Sequence, residues 1–235
     1  MIQINLREKL SHNSKWFIFP LLLLLLACPS EDEPPDPEPD PDPGPLIASG
    51  WINLVSGFYE DALDNFDDAL LISSTNISAN MGKAWSMLFL DNGVDGTSLE
   101  DMRILFEKGI GDSLWSADAY CGLSMVALAQ QNYLLSVNHA DSLLSINSLY
   151  VFEYVNDIDY HDILLVKAQA QFFTSDYQGA YDTLSLIDSV YDIVTVSDSE
   201  WVVNDISHFS FESALATLIE LVTSEYDSGG FISYP

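Results

Sequence analysis

The stretch Gly57-Phe58-Tyr59-Glu60-Asp61-Ala62-Leu63-Asp64-Asn65-Phe66-Asp67-Asp68-Ala69-Leu70 decides the architecture of this chain. After the glycine, Leu63, Phe66 and Leu70 recur at the spacing of one helical face, with acids between them. A second stripe, Ile47, Trp51, Leu54, Val55 and Phe58, brackets the glycine on its other side. Two helices separated by a glycine turn make a hairpin. Residues 46–234 contain no proline. That absence fits an array of helices, because proline inside a helix removes a hydrogen bond and clashes with the preceding turn.

In the quoted stretch an aromatic, Tyr59, follows the glycine turn, and Ala62, Phe66 and Ala69 stand three, seven and ten positions beyond it. This pattern resembles the second half of a tetratricopeptide repeat. The resemblance implies that the alanines let two helix backbones approach while the aromatic fills the space between hairpins. The pattern returns as Asp176-Tyr177 followed by Ala180, Leu184 and Ile187. Weaker copies are Leu99 with Met102, Phe106 and Gly109, and Tyr133 with Ser136, Ala140 and Leu143. Their anchors are 40, 34 and 44 residues apart. One interval equals the family period of about 34, and the others imply insertions within residues 91–98 and 145–159. Gly50, Ser124 and Ala168 supply a small packing residue nine positions before their anchors, whereas Leu90 does not. The expected fold is all-α, an α-α superhelix of such hairpins over residues 46–235. Residues 211–225 form its capping helix, with Ser210 at the N-cap. A helical bundle without repeats is the alternative, and residues 194–198 read as a loop or a short strand.

Ahead of the array, residues 16–27 are apolar, twelve residues long, and preceded by Arg7, Lys9 and Lys15 against the single acid Glu8. As a helix this run reaches roughly 18 Å against a hydrocarbon core of about 30 Å. Residues 1–27 therefore read as a secretory signal peptide. Leu25-Leu26-Ala27-Cys28 resembles the lipobox of bacterial lipoproteins, which implies that Cys28 is acylated, for example with palmitate, and becomes the first mature residue. An ordinary signal or tilted anchor with an incidental cysteine is the alternative. Pro29-Ser30-Glu31-Asp32-Glu33 resembles the tag that sends some lipoproteins to the outer face of the outer membrane; the periplasmic face is the alternative. Residues 28–45 form an acidic tether, with eight prolines and seven acids in the 17 residues after Cys28. Proline stiffness and like-charge repulsion extend it to roughly 50 Å.

Removing residues 1–27 leaves four strong cations, Lys83, Arg103, Lys108 and Lys167, against 35 acids, a net charge of −31. Nucleic acid is disfavoured as a partner, since its phosphates are bound by Lys and Arg. A protein partner with a basic patch fits the field better. With Cys28 acylated, Cys121 has no partner for a disulfide, and its apolar neighbours suit a buried small hydrophobe.

Catalytic and metal-binding motifs are sparse, and the scattered carboxylates are too many to single out a catalytic pair. Asp91-Asn92-Gly93-Val94-Asp95-Gly96 resembles part of a calcium loop, but Gly93 stands at the third ligand position and Met102 at the twelfth. A plain helix-helix loop is expected. His139, His161 and His208 form no pair at helical metal-ligand spacing. Gly122-Leu123-Ser124 lacks the second glycine of a nucleophile elbow. No metal, cofactor or catalytic set is expected, and the chain reads as a non-enzyme. Tyr150, Phe152, Tyr154 and Tyr160 crowd the longer insertion, where packing between enlarged hairpins is the expected use and a binding groove the alternative. The expected function is a lipid-anchored, surface-exposed protein-binding scaffold of the bacterial outer envelope. The alternatives are a periplasm-facing part of outer-membrane assembly or secretion machinery, and a surface lipoprotein that captures a ligand or glycan.

Overall fold

The computed structural model describes residues 40–91, 96–154 and 158–226. Four helical hairpins follow one another: α1 (Gly44–Val55) with α2 (Tyr59–Ile72), α3 (Ile77–Asp91) with α4 (Gly96–Glu107), α5 (Ser116–Ala129) with α6 (Tyr133–Ile146), and α7 (Tyr160–Phe173) with α8 (Tyr177–Leu184). Strands β1 (Val194–Ser197), β2 (Glu200–Val203) and β3 (Ile206–His208) then lead to α9 (Phe211–Tyr226). Helix α1 takes in Gly44 and Pro45, two residues the sequence assigned to the tether. Proline is tolerated there because a first-turn N–H has no intrahelical partner to lose.

Three hairpins turn through the same backbone. Gly57, Gln131 and Ser175 adopt φ of 79°, 58° and 65°. The next amides, of Phe58, Asn132 and Asp176, reach back to the carbonyls of Asn53, Ala127 and Gln171 at 2.9, 2.8 and 2.9 Å. These bonds close the exposed carbonyls of α1, α5 and α7 and place Tyr59, Tyr133 and Tyr177 first in the next helix. Only the first of these turns uses glycine, which is why the other copies read weakly. Phe58, assigned to the apolar stripe, lies in the turn and is exposed, as is Val55 at the end of α1.

The small packing residues keep one register measured from the helix ends. Gly50, Ser86, Ser124 and Ala168 each lie five residues before the last residue of α1, α3, α5 and α7, and all are buried. Ser86, not Leu90, fills the role in α3, because Leu99 is the fourth residue of α4 rather than the first and the α3–α4 connection is one residue longer than those of the other hairpins. In the third hairpin the Ser136 hydroxyl of α6 donates to the Ser124 carbonyl of α5 at 2.8 Å. Phe66 lies over α1 and α3 where both carry glycine: a Cβ on Gly50 would come 2.7 Å from its ring and one on Gly82 2.1 Å. Phe106 is seated likewise on Gly122, at 2.3 Å. Ala62 and Ala180 are fully buried, so leucine at either should overpack the contact and cost roughly 1–3 kcal/mol in a denaturant titration. The last copy is shorter than its pattern: α8 ends at Leu184, and Ile187 is buried beyond it.

Each odd-numbered helix packs on the next one, from α1 to α9, and each even-numbered helix packs on the odd helices flanking it in sequence. Among the described residues the even helices do not pack on one another. The closer row belongs on the inner side of the curve, so the odd helices line the inner face of an α-α superhelix. One buried cluster fills the first three hairpins and a second joins α7, α8, β2 and α9, with Met125, Leu144 and Tyr160 packed against both. Residues 194–197, ambiguous in sequence, are β1, the first strand of an antiparallel sheet ordered β1-β2-β3. All four β1 residues are exposed, and a register shift between Thr195 and Ser197 blunts this edge. Asn204 and Asp205, with φ of 46° and 63°, make the tight turn between β2 and β3. Ser210 caps α9 by accepting the Ser213 amide at 3.1 Å. Among the described residues no helix is long and apolar enough to cross a membrane.

Candidate binding surface

The longer insertion folds back onto the inner face. Tyr150, Phe152 and Tyr154 alternate with the exposed Val151 and Glu153, the pattern of an extended segment with one side buried. Its backbone is held within the insertion, by the Phe152 amide on the Ile158 carbonyl at 2.9 Å and the bridge between Val151 and Asp159. The three rings meet three successive odd helices. Tyr154 stacks on Trp51 of α1 at 3.9 Å between ring centres, and Phe152 stacks on Trp85 of α3 at 4.3 Å. The Tyr150 hydroxyl donates to Asp118 Oδ1 of α5 at 2.7 Å.

The receiving side chains are fixed from beneath. Trp51 and Trp85 pack edge-on against Phe66 and Phe106, each at 5.2 Å. Trp115, 5.3 Å from Trp51, is held by its amide, which donates to Asp112 Oδ1 at 3.2 Å ahead of α5. The buried indole N–H of Trp85 has no acceptor among the described residues, so ring packing and burial hold this stack. Packing, the expected use of these aromatics, is what residues 150–154 perform. Tyr160, grouped with them in sequence, starts α7 instead and lies 3.9 Å from His161.

Asp118 is the electrostatic feature of this face. Burial raises its pKa to about 6, the hydrogen bond from Tyr150 pulls it back down, and Glu153 pushes it further up. Cys121, one turn along α5, is fully buried, and that burial drives its thiol well above the ordinary value, with Asp118 adding to the effect. Such a thiol is a packed hydrophobe rather than a thiolate nucleophile. The domain's cations are engaged elsewhere: Lys83 with Asp67 at 2.5 Å, Lys167 with Asp141 at 2.7 Å, Arg103 with Glu100 and Glu107, and Lys108 with Asn80.

The other positions singled out in sequence stay apart from this face or outside the description. Cys28 and residues 92–95 of the part-matching calcium loop lie outside the described residues. Met102, at that loop's last ligand position, is fully buried in α4. His139 lies against Tyr120, His161 bonds Asp159 at 3.0 Å, and His208 bonds Ser213 at 2.9 Å. Among the described residues no three His, Cys, Asp or Glu are placed to hold a metal ion. The Ser124 hydroxyl is buried and donates to the Cys121 carbonyl at 2.7 Å inside α5. Asp118, Trp85 and Trp115 are not singled out in the sequence, where Trp51 figures only in the first apolar stripe. Compared with models of known families and with curated proteins, the chain matches none.

Proposed function

We propose that this protein is a lipid-anchored scaffold of the bacterial outer envelope that holds a protein partner on its array of tetratricopeptide-like hairpins. The observation that carries this reading is the row of odd helices, a continuous inner face spanning four hairpins. Stacked hairpins bury one core along their length while leaving an extended surface, which suits a long partner segment better than a small molecule. The acidic domain favours partners with a basic patch, whose association slows as salt rises. Cys28 supplies the anchor, and the acid-proline tether holds the array off the membrane.

Affinity purification of the lipidated full-length protein from its own membrane tests the binding role: a partner retained through washing supports it, and recovery of the protein alone counts against it. The anchor is tested separately. Cys28→Ala is expected to accumulate as unprocessed precursor, read by its larger mass on a gel. Normal maturation and unchanged detergent partitioning of that variant would remove the lipoprotein reading.

A further inference from the structure

Residues 147–154 occupy three odd helices of the face on which the scaffold role depends. A partner lying there must share it with this segment or displace it. The segment is not woven into the helices. Its backbone hydrogen bonds close onto residues 158–159 of the same insertion, while Phe152 and Tyr154 engage the helices by stacking and Tyr150 by its bond to Asp118. Leu149 and Val151 on its outer side are exposed.

We propose that residues 147–154 are a gate on the inner face, closed while the Asp118 carboxyl beneath Tyr150 is protonated and opening as that carboxyl ionises. This gate presupposes that the inner face is the partner surface.

The charges around Asp118 favour that direction. Next to it are the Tyr150 hydroxyl and the Cys121 thiol, with Glu153 and Tyr154 on the segment itself and Asp162 of α7 acting on Cys121. Among the described residues, the other elements packed on α5 bring no free cation to this spot: Lys167 of α7 is paired with Asp141 at 2.7 Å. Lys83 of α3 is committed to Asp67, and Lys108, beyond α4, is bonded to Asn80. Glu107 of α4 pairs with Arg103, while His139 of α6 lies against Tyr120. An ionised Asp118 therefore faces acids, a hydroxyl and a thiol under a ring-lined cover, and lifting the cover restores its water. With Asp118 titrating at about 6 when closed and near the ordinary aspartate value of 3.8 when open, the opening equilibrium rises about tenfold between pH 5 and pH 8.

Hydrogen exchange on the full-length chain, corrected for intrinsic rates, reads opening at the amides of residues 150–154. The expected result is about tenfold more opening at pH 8 than at pH 5 in the wild type, and a flat response in Asp118→Asn. Iodoacetamide labelling of Cys121 at pH 8, mapped by mass, should be slower in that variant than in the wild type, because the thiol lies beneath the closed segment. A pH-independent wild type overturns the gate, and an equal pH response in Asp118→Asn overturns the assignment to Asp118. Should the variant fail to fold, the wild-type pH series decides alone. A partner captured equally at pH 5 and pH 8 sinks the gate while sparing the scaffold role; a working gate with no partner recovered does the reverse.

Discussion

Phe66→Ala is expected to lower the unfolding free energy by about 3–5 kcal/mol, enough to unfold a domain of ordinary stability. The ring is fully buried and serves two hairpins at once, covering Gly50 of its own hairpin and Gly82 of the next. It also supports Trp51 edge-on, and Trp51 carries Tyr154. Removing it leaves a cavity that neither backbone can close, because both already stand at glycine distance. Gly82→Ala should be costly too, since its Cβ would fall 2.1 Å from a ring with no room to retreat. The two changes compensate in part: the double variant should cost clearly less than the sum of the single ones, because alanine at 82 fills space that phenylalanine vacated. Strict additivity in urea titrations would show that Phe66 does not occupy the Gly82 notch.

The second large effect belongs to Asp118 and carries a pH signature. Its folded-state pKa, about 6, lies above the unfolded value near 3.8. The folded protein therefore holds the proton more tightly, so this group favours folding at low pH and opposes it progressively as pH rises from about 4 to 6. Above that window the penalty reaches about 3 kcal/mol, from roughly 1.4 kcal/mol per pKa unit. Asp118 lies in the first turn of α5, where the helix dipole favours its charge, so about 3 kcal/mol is the ceiling. Asp118→Asn keeps an acceptor for the Tyr150 hydroxyl and removes the charge. It is expected to stabilise the protein by up to about 3 kcal/mol at pH 8, shrinking below about 1 kcal/mol at pH 4. Comparing variant and wild type at each pH cancels the repulsion among the many surface acids, which both proteins share. A stabilisation that stays constant with pH would place the Asp118 carboxyl in water, outside the buried contact.

Sequence alone determined the helical hairpins, because an amphipathic helix writes its buried face into local spacing. Ala62, Phe66 and Ala69 are legible as one face, and all are fully buried. The same holds for Ser210 as the cap of α9, where capping depends on residues three apart. The hairpin turns were half legible. Gly57 announces a left-handed residue, but Gln131 and Ser175 adopt the same backbone under the demand of packing on both sides. The small residue of α3 was missed for a related reason: counting back nine positions assumes an anchor that starts its helix, whereas Leu99 is the fourth residue of α4 and Ser86 is the buried small residue. The inner face was settled only in three dimensions. Tyr150, Phe152 and Tyr154 meet Asp118, Trp85 and Trp51, between 32 and 103 residues earlier in the chain. No local pattern encodes contacts at such separation, because they follow from how many hairpins the insertion spans as it folds back. The pKa of Asp118 is a tertiary property in the same sense. Its sequence neighbours Ala117 and Ala119 are uncharged, and the shift comes from burial in the folded chain, with Glu153 adding to it.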